Sequence, residues 1–287
     1  MLSLTTKTAI AALALVLVPA LACAEDLARV VGRSMRGLAG TALVADVATG
    51  RLIASHRVDL AARRLVPPGS TIKPFTLLAY RQSGAELPAL VCDGKLRLGG
   101  RQMDCAHPRS PVPLDAVTAL AYSCNSYFAR LGLRIRPEAW PATIARFGFT
   151  ALTGLARDEV PGTLLSATTP EQRQLQALGE YGVMSTPLGM LTAYRRLAMA
   201  GDPVIREGLQ AAAVYGTARL AGVTGMAVAG KTGTAASHAW FAGFAPADAP
   251  RYVVVVFLEQ GTGGSSAAPV AHEIFEGLPK LAFRGAK

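Results

Sequence analysis

Residues 252–259, YVVVVFLE, constrain the fold most: an unbroken apolar, β-branched run of strand length. A strand with one wet face alternates apolar and polar side chains. One that is apolar throughout is buried on both faces and belongs at the centre of a covered sheet. Two further apolar runs, 41–47 and 51–55, flank Ala48-Thr49-Gly50 and read as a hairpin. Residues 226–230 leading into Lys231, and then 240–245, read as strands from the other end of the chain. Between these groups, from Ser70 to about Gly201, the pattern is mostly helical and is broken by Pro and Gly; 26–37 and 267–275 also carry helical spacing. The expected fold is therefore a single α/β (α+β) domain. Its antiparallel sheet is built from both chain ends, with flanking helices, a helical insertion, and a cleft between sheet and helices. A chain of 287 residues can fill one such core.

Composition removes other classes. With 51% hydrophobic and 17% charged residues the chain is not a disordered, solvating polymer. Its net charge of +10 is carried mostly by arginine, but the basic residues are scattered without a run of five, so a nucleic-acid-binding stripe is not supported. The N-terminus has one basic residue, Lys7, then an uncharged apolar stretch over 8–22 interrupted by Pro19. This is shorter than the ~20 residues of a comfortable membrane span. Followed by Ala22-Cys23-Ala24, it reads as a signal peptide over 1–24 that exports a domain over 25–287. Membrane association follows only if that segment is retained or if Cys23 is lipidated.

Export permits disulfides. Cys92 and Cys105 flank DGKLRLGGRQMD, whose Asp-Gly and Gly-Gly pairs signal a tight hairpin, so these two are expected to be bonded and Cys124 to remain a thiol. A metal site from Cys92, Cys105 and His107 lacks a second paired motif and a clear fourth ligand, so neither metal nor cofactor is assigned.

Three short motifs stand in order: Ser70-Thr71-Ile72-Lys73, Ser123-Cys124-Asn125, and Lys231-Thr232-Gly233-Thr234. Asn125 is the only asparagine in the chain, and a chance occurrence of all three is about 5 in 10,000. Pro67-Pro68-Gly69 is a stiff turn that delivers Ser70 to a helix start, and the i, i+3 spacing lets Lys73 reach the Ser70 hydroxyl. A serine hydroxyl is a weak nucleophile without an adjacent base. A lysine serves as that base only when neutral, which burial beside a second cation, Lys231, would favour. Ser123 and Asn125 straddle Cys124 and are expected to share one side, a hydroxyl to relay a proton and an amide to bind a substrate amide. Lys231, Thr232 and Thr234 offer a cation and hydroxyls to a carboxylate, while Gly233 permits close approach to the backbone.

Ser-x-x-Lys, Ser-x-Asn and Lys-Thr-Gly are the motif set of penicillin-binding proteins and serine β-lactamases. The longer phrases PPGSTIKPF, SCNSYFARLG, TPLGMLTAYRRLAMAGD, AGKTGTA and HAWFAGFAPAD make roughly residues 40–276 resemble the transpeptidase domain of class B penicillin-binding proteins. The resemblance implies a Ser70 acyl-enzyme activated by Lys73, with Ser123 and Asn125 lining the cleft. It implies a carboxylate held by Lys231, Thr232 and Thr234, and an oxyanion hole from the backbone N–H groups of Ser70 and Thr234. The implied activity is a D,D-transpeptidase or D,D-carboxypeptidase acting on peptidoglycan stem peptides and acylated by β-lactam antibiotics, with cell-wall assembly proteins as further partners. A serine β-lactamase of class D type and a non-catalytic β-lactam-binding sensor or assembly module are the alternatives. Two departures stand out: Glu180 where the family pattern has Gln, and Pro108 after His107 where it has Gly. His107 and His238 are read as structural.

Overall fold

The computed structural model describes residues 26–109 and 111–279. The expected signal peptide lies outside them. No helix among the described residues is long and apolar enough to cross a membrane.

A helix, α1, runs through residues 26–34. It leads into the hairpin read from the sequence, β1 (Gly40–Asp46) and β2 (Leu52–His56), whose turn is tied by the Asp46 carboxylate accepting from Thr49 N at 2.7 Å. Strands β7 (Ala229–Ala235), β8 (His238–Ala245) and β9 (Tyr252–Leu258) close the domain with helix α10 (Ala268–Glu276). The sheet order is β2-β1-β9-β8-β7, antiparallel throughout. β9 is thus the central strand, and every residue in it is buried. Alternation divides its side chains: Val253, Val255 and Phe257 join the core on one face, Tyr252, Val254, Val256 and Leu258 the core on the other. The second core is sealed by Leu27 and Val31 of α1 and by Ile274 and Phe275 of α10, so the two chain ends cover one face of the sheet.

The other face carries the helical insertion. The chain between β2 and β7 also forms α2 (Val58–Arg63), α4 (Ala116–Ala121), α7 (Pro170–Leu178), α9 (Pro203–Val214) and the short pair β5 (Thr163–Leu164) and β6 (Val183–Met184). Helix α8 (Pro187–Ala200) packs against β8 and β9. Beyond it lie α3 (Lys73–Arg81), α5 (Asn125–Gly132) and α6 (Ala139–Phe147), joined around Phe75, whose ring meets Phe147, Phe149 and Tyr194 edge-on. The glycine pair forms the expected tight turn: Gly99 and Gly100, both at positive φ, connect β3 (Arg97–Leu98) to β4 (Arg101–Gln102).

One strand start differs from the sequence reading. β7 begins at Ala229 rather than Met226, because Met226 closes a separate tight turn, bridging to Val223 around Gly225 at φ +79°.

Candidate active site

Ser70 sits on a 3₁₀ turn, Gly69–Ile72, that runs directly into α3. Three buried side chains and backbone groups pin that turn. Trp240 Nε1 donates to Pro67 O at 3.1 Å, Tyr194 OH donates to Thr71 O at 2.8 Å, and Gly69 N donates to Gly179 O at 3.1 Å. Gly69 is at φ +52°, and a Cβ there would come within 2.9 Å of Thr234 O. Only glycine lets the Ser70 turn lie flat against β7. Gly233 serves the same contact from the other side: a Cβ on it would lie 2.9 Å from Pro68 O and from the Thr71 side chain. The backbone approaching Gly233 is therefore the protein's own, a correction to the expectation that its missing side chain makes room for a ligand.

Lys73 is fully buried. Its Nζ donates to Ser123 O at 2.8 Å, to Ser123 Oγ at 3.0 Å and to Asn125 Oδ1 at 2.6 Å, and it lies 5.3 Å from the centre of the Phe128 ring. An ammonium has three N–H donors, and three oxygens receive them. Ser123 is at φ +56°, the left-handed region that a serine occupies only when its surroundings hold it there; this conformation aims both its carbonyl and its hydroxyl at one nitrogen. Asn125 Nδ2 donates to Met103 O at 3.0 Å, leaving its second N–H for a ligand. Ser123 and Asn125 share a side as the spacing suggested. The spacing puts Lys73 beside Ser70, but its hydrogen bonds run to the second motif.

The third motif lies on β7, an edge strand that packs against the Ser70 turn at Gly233. Thr232 and Thr234 share the opposite face by alternation. Thr232 O accepts from Lys231 Nζ at 2.9 Å, Thr232 Oγ1 donates to Thr217 Oγ1 at 2.9 Å, and Gly263 N donates to Thr234 Oγ1 at 3.0 Å. Ser70, Ser123, Asn125, Thr232, Gly233 and Thr234 together line one open cleft of about 530 Å³. Lys73 and Lys231 lie beneath its floor, both wholly buried.

Burial sets the electrostatics of the two lysines. It lowers the Lys73 ammonium from its usual range to about 8, opposed by the nearby acidic groups Cys105 and Glu180. Lys231 is pushed well below its ordinary value, first by burial and then by the charge of Lys73. The depression expected of Lys73 is present and burial produces it, as expected; the repulsion between the two cations falls on Lys231 rather than on Lys73.

Several cleft residues gave no signal in the sequence. Arg219, on a 3₁₀ turn at Arg219–Ala221, lines the cleft, as do Thr217 and Tyr122; the arginine is one of many scattered ones and has no motif around it. Tyr122 meets Tyr215 with ring centres 5.5 Å apart. Glu180 pairs with Arg101 at 2.9 Å. The cysteines depart from expectation. Cys92 and Cys105 are brought near, Sγ to Sγ 3.6 Å, but both are free, and Cys124, expected to stand apart, lies 3.7 Å from Cys105. His238 Nδ1 bonds to Glu259 O at 2.9 Å, a structural contact.

Comparison with known proteins agrees with this geometry. The family model for the penicillin-binding protein transpeptidase domain matches residues 40–276. Stage V sporulation protein D of Bacillus subtilis is 29% identical over 279 residues, covering 77% of this chain and 43% of that protein. Peptidoglycan D,D-transpeptidase PbpA of Mycobacterium tuberculosis is 26% identical over 281 residues, 78% of this chain and 57% of that one. Peptidoglycan D,D-transpeptidase FtsI of Escherichia coli is 26% identical over 304 residues, 83% and 51%. The chain thus spans about half the length of these curated relatives. Among solved structures, the imipenem acyl-enzyme of penicillin-binding protein A from M. tuberculosis superposes with a TM-score of 0.77 at 21% identity, covering 89% of this chain and 78% of that one. Pseudomonas aeruginosa PBP2 superposes with a TM-score of 0.76 at 21% identity, covering 87% and 76%. With the family model spanning its three motifs and the fold shared, the chain belongs to the penicillin-binding protein transpeptidase domain family.

Proposed function

We propose that this protein is an exported serine acyltransferase that attacks the D-Ala-D-Ala end of peptidoglycan stem peptides through Ser70, as a D,D-transpeptidase or D,D-carboxypeptidase. The observation that carries the reading is the convergence of all three motifs on one cleft, with a buried lysine of lowered proton affinity beneath the serine. The curated relatives named D,D-transpeptidases are consistent with it.

In this reading the Ser70 hydroxyl adds to the carbonyl carbon of the penultimate D-Ala and gives its proton to neutral Lys73, directly or through Ser123. Two of the three partners of Lys73, Ser123 O and Asn125 Oδ1, can only accept, whereas the Ser123 hydroxyl can also donate. Once neutral, Lys73 keeps its first two bonds and turns its lone pair toward a hydroxyl. The backbone N–H groups of Ser70 and Thr234 receive the oxyanion in this reading, which the close packing of Gly69 on Thr234 O supports. Ser123 then gives its proton to the departing D-Ala nitrogen as Lys73 returns one to Ser123, and the C–N bond breaks to leave the Ser70 ester. An amine of a second stem peptide, or water, resolves the ester. The leaving D-Ala carboxylate lies against Thr232 and Thr234, with Lys231 below. Arg219, which lines the same cleft, adds a second positive charge.

The test is intact-mass analysis after exposure to benzylpenicillin, together with release of D-Ala from a stem pentapeptide. A stable adduct mapped to Ser70 plus D-Ala release is expected. An adduct on another serine would overturn the assignment. Rapid turnover of the antibiotic would make the protein a β-lactamase, and an adduct without D-Ala release would make it a sensor.

A further inference from the structure

Directly behind the Ser123–Asn125 turn, four residues that the catalytic reading does not use gather into one cluster: Cys92, Cys105, His107 and Cys124, whose ligand atoms all lie within 4.8 Å of one another. The Sγ atoms of Cys92 and Cys105 are 3.6 Å apart and those of Cys105 and Cys124 are 3.7 Å apart. A disulfide requires about 2.0 Å. A tetrahedron of ligands with metal–sulfur bonds of about 2.3 Å has sulfur–sulfur edges of about 3.8 Å. The sulfurs already stand at that second spacing.

The histidine supplies an independent observation. His107 Nδ1 bonds to Pro108 O at 2.8 Å, so that nitrogen carries the ring proton and Nε2 keeps its lone pair. Nε2 is buried and has no hydrogen-bond partner. A buried polar atom left bare is costly, and an N–H···O=C bond that orients the opposite nitrogen is the usual support of a metal-binding imidazole. Tyr122, which lines the cleft, stacks on the His107 ring with centres 5.6 Å apart and holds its plane.

The sulfurs are likewise oriented by backbone donors. Gly94 N donates to Cys92 Sγ, Ser126 N to Cys105 Sγ and Tyr127 N to Cys124 Sγ, each at 3.4 Å. Sulfur keeps such backbone N–H bonds when it ligates a metal, so each side chain is already held in place by its own loop or helix start.

We propose that Cys92, Cys105, Cys124 and His107 Nε2 form a closed tetrahedral site for a divalent zinc-type cation, the three thiols losing their protons to solvent as the ion binds. Three thiolates and one imidazole suit zinc, and four protein ligands leave no open position for chemistry, so the ion is structural. Its consequence is local. It ties the β3–β4 hairpin to the start of α5 and clamps Cys124, which stands between the two residues that hold Lys73. The ion would thereby maintain the left-handed backbone of Ser123. The fourth ligand, Cys124, is invisible to a reading of spacing because it belongs to the catalytic motif.

The experiment is elemental analysis of protein purified without immobilised metal, under reducing conditions. About one zinc per chain is expected, with tetrahedral cobalt–thiolate absorption after exchange with cobalt. His107→Gln should lower zinc affinity by at least about tenfold and leave the cobalt spectrum altered, while Cys92→Ser should abolish it. Added zinc should raise the unfolding temperature of the metal-stripped wild-type protein but not of Cys92→Ser. Protein that binds no zinc with its thiols intact would overturn the proposal. So would a disulfide between any two of the three cysteines, found by non-reducing peptide mapping of protein isolated from its native compartment.

Discussion

Lys73 Nζ donates to the Ser123 carbonyl at 2.8 Å and to the Ser123 hydroxyl at 3.0 Å, so one residue in a left-handed conformation holds the buried ammonium with both its backbone and its side chain. The two contacts have different consequences. The carbonyl fixes where Lys73 sits, and the hydroxyl is the one partner able to exchange a proton with it. Ser123→Ala keeps the carbonyl and removes the hydroxyl. Acylation by benzylpenicillin is expected to slow about 10²–10⁴-fold, the range for loss of a proton-transfer group, with little change in affinity before acylation. Ser123→Gly should slow it equally while easing the strain at φ +56°. A fully active Ser123→Ala would show that protons pass directly between Ser70 and Lys73.

Lys73 also predicts a pH profile. Its proton affinity is lowered to about 8, and the active form is the neutral amine. Below that value the neutral fraction falls tenfold per pH unit. The second-order acylation rate should therefore rise with pH up to about 8 and then level off. Lys73→Arg stays protonated at every accessible pH and should lose both the rate and the inflection. An unchanged inflection in Lys73→Arg would assign the titrating base to another group.

The sheet was readable because one physical pattern determines it. β9 is apolar on both faces, so it had to be central, and its neighbours had to come from the runs at either end of the chain. The motifs were readable because each is contiguous. What spacing could not convey are the contacts between motifs. Gly233 reads as room for a ligand until the Ser70 turn is seen packed against it. Lys73 reads as the partner of Ser70 until Ser123 is seen to curl its backbone toward it. Arg219 and Cys124 acquire meaning only when chain segments far apart in sequence meet, which composition and periodicity do not encode.

The β7–β8 hairpin carries a correctable local strain. Its two connecting residues, Ala236 and Ser237, are both exposed and sit at φ +47° and +69°. Two-residue hairpin turns with both positions at positive φ favour Asn-Gly, and left-handed backbone costs an ordinary residue about 1–2 kcal/mol. Replacing the pair by Asn-Gly should stabilise the protein by about 1 kcal/mol and raise the unfolding temperature by about 2–4 °C. Acylation at Ser70 should be unaffected. A lower unfolding temperature in calorimetry would mean that the turn is held by something other than its own backbone preference.

Lys231 gives the last and most direct test of how the site stores its cost. It is wholly buried, its single hydrogen bond goes to Thr232 O at 2.9 Å, and burial with the charge of Lys73 holds its proton affinity well below the ordinary lysine value. A group that binds its proton more weakly when folded destabilises the native state at low pH. The penalty is fully present below the folded value, and stability recovers as pH rises from there toward the unfolded value of about 10.4. Lys231→Met removes the charge, keeps most of the volume and leaves one backbone carbonyl on the cleft side without its partner. It should therefore raise stability at neutral pH by about 1–4 kcal/mol and flatten the pH dependence. The same change should weaken acylation, because the substrate carboxylate loses the cation that it would otherwise draw into the protonated form. Lys231→Arg restores the charge and should recover part of the rate, with the carboxylate misplaced. Denaturant unfolding of wild type and Lys231→Met at several pH values, beside their acylation rates, checks both halves. A Lys231→Met protein less stable than wild type across the range would show that the buried ammonium is compensated in the native state and does not oppose folding.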